Sequence, residues 1–289
     1  MKRKEAPPQA TTPNLVERID QLSIKRQEII RPILEHPREF VLLSVRAMAA
    51  RLQTDPATIV RIVRGLGFGS YREFQRHLHE LSLAYATSLD TMQSGDSDGS
   101  MPSHVRDSLG QDLKNLQGLK NSLDAQRLVA LAKRFYEARR IVLLAGDLAV
   151  QLAQYLEYQI SLLGLPIFVA TSAGRVLHLV RSVNKQDLVI AISFRRGLRQ
   201  TIEGAQQARA RGAYCIGISD TYVSPLAREC DEIFLASIES TSFGASYAAP
   251  IALMNAILAA VGQYRRTQTL ALAKEIAEEQ RKGVRWFNT

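Results

Sequence analysis

Apolar residues recur at three- and four-residue steps through the first third of the chain, then gather into short continuous runs from residue 140 onward. The first rhythm predicts amphipathic helices and the second predicts buried strands. Leu15 to Leu22 and Ile24 to Leu34 read as helices. In the second of these Ile29, Ile30, Ile33 and Leu34 form the apolar stripe, Ser23 can cap its start and Pro37 ends it. From Ser44 to Phe68 the sequence SVRAMAARLQTDPATIVRIVRGLGF divides into two short helices around a tight turn. Val45, Met48, Ala49 and Leu52 fall at helical spacing on the first, and Ile59, Ile62 and Val63 form the inward stripe of the second. Asp55 can accept the free amides of the second helix, and Pro56 sits at its first position, where a missing N–H costs nothing. Gly65, Gly67 and Gly69 then break the pattern. Ser70 opens a further helix carrying Tyr71, Phe74, Leu78 and Leu81. Together these segments predict a five-helix domain over residues 13–90, preceded by a flexible start at 1–12.

The stretch SGDSDGSMPS, residues 94–103, is small, polar and free of apolar periodicity, which marks a linker placed at 91–104. A long helix or helix pair from Val105 to Tyr136 leads into the second rhythm. Arg140 to Ala145, Pro166 to Ala170, Asp187 to Ser193, Ala213 to Ser219 and Glu232 to Ala236 are the strand-like runs. Helical stretches Ala149 to Leu163, Gly174 to Val183 and Leu198 to Arg211 alternate with the first four. Such alternation predicts a parallel sheet covered by helices on both faces. The final apolar helix, Tyr247 to Tyr264, is rich in alanine, which suits either core packing or close contact with a second subunit. The fold class is therefore mixed: an all-α helix-turn-helix domain followed by an α/β domain over 105–289 with a central parallel sheet.

Composition narrows the picture modestly. Of 289 residues 46% are hydrophobic, which fits globular domains, and the formal charge is +9. Residues 1–86 hold 14 Lys and Arg against 9 Asp and Glu, so the helical part has the denser positive charge. That excess suits a polyanionic partner without demanding one. Cys215 and Cys230 have no metal-ligand spacing, and the five histidines show no paired motif, so neither a metal nor a cofactor is expected. No signal peptide or membrane-spanning run is visible, and a cytoplasmic location is expected. The strand-end segments lack a nucleophile elbow, a phosphate loop and a dinucleotide fingerprint, so no catalytic residues are assigned.

The chemistry that remains is recognition. A helix-turn-helix that reads DNA presents polar side chains from its second helix while a packed core holds its back. Ser44, Asp55, Thr58, Arg61 and Arg64 are the DNA-binding candidates. A plain helical bundle with solvated arginines fits the same pattern. In the second domain, ligands are expected beyond the carboxyl ends of the strands. The candidates there are Gly146, Asp147, Ser193, Arg195, Arg196, Arg199, Ser219 and Ser224. Arginines beside a helix start suit a phosphate or carboxylate. A solvated basic loop is the alternative, and Ser224 before Pro225 also reads as a helix cap.

Asp55, Ala57, Thr58, Ile59, Val60 and Arg61, followed by Leu66, Gly67 and Phe68, resemble the recognition element of RpiR-type bacterial transcription regulators. That family usually carries serine where Asp55 stands. The resemblance continues through Ser70 to Leu78, Asp187 to Ser193, Ala208 to Ser219, and Ser224 to Ala227 with Asp231. It implies a helix-turn-helix joined to a sugar-isomerase (SIS) domain. It also implies a metabolite-responsive regulator of a carbon or sugar-acid pathway, a homodimer or homotetramer on palindromic double-stranded DNA, and an acidic sugar-derived or phosphorylated effector. Two features depart from the family. Its first loop is glycine- and serine-rich, where this chain has Ala145 to Ala149. Its Ser-x-Ser-Gly-x-Thr loop is here Ser193, Phe194, Arg195, Arg196, Gly197 and Leu198. A sugar-phosphate isomerase-like enzyme and a noncatalytic metabolite-binding interaction module are the competing readings.

Overall fold

The computed structural model describes residues 15–35, 37–84, 100–195, 197–221 and 224–282. The chain divides into two compact units, with the boundary in sequence between Leu83 and Ala84. The flexible start expected at 1–12 lies outside the described residues, as does most of the expected linker.

In the first unit the described helices are α1 (Leu15–Asp20), α2 (Ile24–Glu35), α3 (Pro37–Phe40), α4 (Val45–Arg51), α5 (Pro56–Gly65) and α6 (Tyr71–Ala84). Pro37 ends α2 as predicted but also begins α3, since its fixed φ suits a first helical position. The expected five helices thus become six. Ile30, Ile33, Leu34, Met48, Ala49, Ile59, Ile62, Val63, Phe74 and Leu78 form the buried interior. The turn between α4 and α5 is a Schellman motif. The Thr54 amide donates to the Ala49 carbonyl and the Gln53 amide to that of Ala50, with Gln53 left-handed at φ 52°. Gly67 closes the far end of α5 at φ 88°. The Arg18 guanidinium, which donates to the Leu66 carbonyl at 3.0 Å, lies where a Cβ on Gly67 would stand.

The second unit opens with α7 (Met101–Ser122) and α8 (Ala125–Glu137). Met101 to His104, assigned to the linker, form the first turn of α7, with Ser100 at its N-cap and Pro102 tolerated in that turn. The sheet comprises β1 (Arg140–Ala145), β2 (Ile167–Ala170), β3 (Asp187–Ile192), β4 (Tyr214–Ser219) and β5 (Glu232–Leu235), all parallel, in the order β2-β1-β3-β4-β5. Each predicted strand is present within one residue at either end. β1 and β3 are buried almost throughout because helices cover both faces. One face packs on α8, α9 (Ala149–Ser161) and α13 (Ala248–Tyr264). The other packs on α10 (Ala173–Arg181), α11 (Arg199–Ala210) and α12 (Pro225–Glu229). A further helix, α14 (Arg266–Lys282), follows α13, where the sequence pattern ended; none of its residues is buried.

At the amino ends of the strands Asp187 is 3% exposed and bonded to Arg139 Nη2 at 2.8 Å and Arg140 Nε at 3.3 Å. The Asn184 amide donates to the same carboxylate. Burial alone would raise its pKa, but Arg139, this amide and the Arg140 charge outweigh that and hold it low.

Candidate DNA-reading and effector-binding sites

On the first unit, two caps define the helix pair. Ser44 Oγ accepts from the Ala47 amide at 3.2 Å and starts α4. Asp55 Oδ1 accepts from the Thr58 amide at 2.9 Å and starts α5, while Thr58 Oγ1 donates to Asp55 Oδ2 at 2.6 Å. The hydroxyl and amide of Thr58 together hold the Asp55 carboxyl below the ordinary carboxylate range. Burying Ile59, Ile62 and Val63 leaves Arg61 and Arg64 exposed on α5. Asp55, Thr58, Arg61 and Arg64 therefore belong to one helix. Ser44 serves the start of α4.

On the second unit, the strand order places the topological switch between β1 and β3, where β1 runs to one side and β3 to the other. The loops after these two strands meet there. Gly146 is buried, and a Cβ on it would come within 2.5 Å of Leu198 Cδ1 and 2.9 Å of Gln200 Nε2. The side chains of Leu198 and Gln200 thus lie directly over the first loop, and Gln200 Nε2 donates to the Thr171 carbonyl at 3.2 Å. Ser193 Oγ accepts from the Leu198 amide at 3.2 Å, which closes the second loop around Gly197 at φ 70°.

Asp147 and Arg195 both adopt left-handed backbone conformations, at φ 53° and 56°. Non-glycine residues are strained there, and such strain concentrates where function needs a fixed geometry. The Arg195 amide donates to Asp220 Oδ1 at 2.8 Å, and Ser219 Oγ donates to the same oxygen at 3.3 Å. Burial of Asp220 pushes its carboxyl up, with these donors working in the opposite sense. Arg195 Nε is buried and has no hydrogen-bond partner among the described residues. Tyr247, at the start of α13, rests its ring 5.4 Å from that of Phe194; burial pushes its phenol up to about 12.

Two candidates fall outside this group. Ser224 is fully buried and accepts from the Leu226 amide at 3.1 Å, so its oxygen is spent capping α12. The Arg199 side chain is 88% exposed and lies 3.9 Å from Glu203 one turn along α11. Ser219 remains at the site but fully buried, acting on Asp220. Arg196 lies outside the described residues. Asp220 and Tyr247 escape a sequence reading because their partners stand tens of residues away.

Beside Asp220 opens a cleft of about 570 Å³ between α7 and the carboxyl ends of β4 and β5. Its wall includes a bonded polar cluster. Gln111 Nε2 donates to Glu239 Oε2 and Asn115 Oδ1, and Asn115 Nδ2 donates to the Glu239 carbonyl at 2.8 Å. Cys215 and Cys230 are buried thiols, and burial pushes both pKa values up, that of Cys215 to about 12. Among the described residues no group of three or more His, Cys, Asp or Glu gathers as a metal site, and no helix is long and apolar enough to cross a membrane.

A helix-turn-helix unit followed by a doubly wound α/β unit with loops converging at its switch point is the build of a ligand-responsive DNA-binding protein. The pattern described as "Helix-turn-helix domain, rpiR family" matches residues 11–84, and that of the SIS domain matches residues 134–263. The chain belongs to the rpiR family and is a metabolite-responsive transcriptional regulator of the helix-turn-helix and SIS type. It is 23% identical over 211 residues to the HTH-type transcriptional regulator HexR of Pseudomonas aeruginosa, covering 73% of each chain. The sugar isomerase domain of an RpiR transcription factor from Sphaerobacter thermophilus superposes with a TM-score of 0.57 at 23% identity, covering 60% of this chain and 98% of that one. The Vibrio vulnificus NanR protein, complexed with ManNAc-6P, gives a TM-score of 0.57 at 19% identity over 94% of this chain and 100% of that one.

Proposed function

We propose that this regulator binds palindromic operator DNA as a homodimer or homotetramer through α5. We also propose that a phosphorylated or acidic sugar-derived metabolite, bound where the β1 and β3 loops meet, controls that binding. The observation that carries the effector site is Arg195. Its left-handed backbone donates its amide to Asp220 at the strand ends, and its buried Nε lacks a partner among the described residues. A guanidinium so placed suits an oxyanion, which it grips through paired hydrogen bonds that lysine does not reproduce. Gly146, Asp147 and Ser193 complete the surroundings; Arg196 is assigned to the same loop from sequence alone. NanR, with its bound sugar phosphate, supports the ligand class by analogy only.

Calorimetric titration of the purified protein with a panel of sugar phosphates and sugar acids tests this reading, with oligomeric mass measured in parallel. Arg195→Lys should weaken the binding ligand about tenfold. Unchanged affinity combined with loss of the oligomer would place Arg195 in subunit assembly instead. On DNA, Arg61→Ala should weaken specific binding more than nonspecific binding, whereas Arg64→Ala should lower the salt slope by about one. Full operator affinity in a Thr58→Ala, Arg61→Ala double variant would remove α5 from the interface.

We infer regulation rather than isomerase turnover, supported by the match of residues 11–84 to a DNA-binding family and by the regulator names of the sequence relatives. SIS folds also serve isomerases, so turnover of a phosphosugar by the purified chain, lost on Ser193→Ala, would reverse the assignment.

A further inference from the structure

The hydrogen-bond polarity of the α5 amino end carries a prediction about which base it reads, and it rests on the reading of α5 as the DNA-contacting helix. A threonine hydroxyl has one proton to give. In Thr58 that proton is committed to Asp55 Oδ2 at 2.6 Å, leaving only lone pairs for an outside partner. The Asp55 carboxylate is ionised and accepts at both oxygens, from the Thr58 amide and the Thr58 hydroxyl. Asp55 is exposed, so its remaining lone pairs are open to a partner. The side chains of Asp55 and Thr58 thus present acceptors only, while the helix's free amides at this end point back to the Asp55 carboxylate. A serine at position 55, usual in the resembling family, would instead bring a hydroxyl able to donate as well as accept.

In the major groove only two bases offer a donor: cytosine at N4 and adenine at N6. Guanine presents N7 and O6, and thymine presents O4 and a methyl group, none of which an acceptor can bond. Between the two amino bases the electrostatics also differ. The adenine amino group stands beside the N7 lone pair, which repels a carboxylate, whereas the cytosine amino group stands beside a C–H edge. We propose that Asp55 and Thr58 act together as a specificity element that selects a cytosine amino group in each operator half-site, with guanine and thymine rejected at that position. Arg61 follows Thr58 by three residues, about 4.5 Å along the helix axis, and carries donors of the opposite polarity for a neighbouring base.

The carboxylate has a second consequence. It places a negative charge on a surface that approaches phosphates, so it weakens binding to every duplex while sharpening the choice among them.

The test is selection from random duplex DNA by the full-length protein. Titrations on four duplexes that differ at the single selected base pair follow. The wild type should favour cytosine about tenfold over guanine or thymine. Asp55→Asn keeps a competent helix cap, so the fold is retained, but its carboxamide both donates and accepts. It should shift the preference from cytosine towards adenine, whose N6 and N7 match an amide, and raise affinity for nonspecific duplexes. Thr58→Val, which keeps the shape of the side chain without its oxygen, should lower the cytosine preference several-fold. Equal base preferences in the wild type, Asp55→Asn and Thr58→Val would reduce Asp55 to a cap and overturn the proposal while leaving α5 as a DNA contact. Failure of the wild type to enrich any sequence would overturn the DNA-reading assignment itself, and the proposal with it.

Discussion

Gln53, Asp147 and Arg195 are the non-glycine residues with positive φ among those described, and they fall into two kinds. Gln53 sits at the left-handed position of a helix C-cap, where glycine is the usual occupant. Gln53→Gly should therefore stabilise the first unit, by about 0.5–1 kcal/mol, as read by thermal unfolding. Arg195 differs because its amide is bonded to Asp220 and its buried Nε is the group assigned above to the proposed ligand. Arg195→Gly should relieve backbone strain yet abolish effector binding, so stability and affinity move in opposite directions. Gly67→Ala should cost about 1–3 kcal/mol, since its Cβ would displace the Arg18 guanidinium at a left-handed position. Gly65, read as a turn residue, is the last residue of α5, whereas the glycines at 67 and 69 are visible in the sequence as turn residues. The left-handed glutamine is not, because nothing local distinguishes Gln53 from an ordinary helical glutamine.

Elements proved legible to the extent that burial fixes their pattern. Strands covered on both faces must be apolar throughout, so runs such as RIVLLA and DLVIAIS announce themselves within a residue of their true ends. Helix α14 buries nothing and therefore left no stripe to read. The short α3 was hidden because Pro37 both stops one helix and starts the next. Asp187 illustrates a polar residue in an apolar run that is structural. Its folded pKa lies below the ordinary carboxylate value, so its contribution is complete above about pH 4 and is lost as pH falls through the folded pKa. Asp187→Asn should destabilise the second unit by about 3 kcal/mol at pH 7, because two arginines lose their buried partner. Denaturant titrations of both proteins at pH 7 and pH 3 should show that difference shrinking in acid.

For the whole molecule, control means that effector and operator alter each other's affinity by one common factor. Titrating the effector with and without saturating operator, then the operator with and without effector, should return equal ratios. The candidate effector site was only partly legible at this scale. The sequence placed Gly146, Ser193 and Arg195 on neighbouring strand ends, because parallel topology gathers those ends on one edge. It could not show that Leu198 and Gln200 stand over Gly146. On the reading proposed above, that placement makes the protein's own loop an internal competitor. A ligand placed on Gly146 would require Leu198 and Gln200 to withdraw, so its apparent affinity would scale with the fraction of time they are withdrawn. Rapid-mixing kinetics should accordingly show a binding rate that climbs with ligand concentration and then levels off at the rate of loop withdrawal. Leu198→Ala should lift that ceiling and tighten binding together. The regulator would then be tuned less by how well it holds its metabolite than by how firmly it shuts the door on itself.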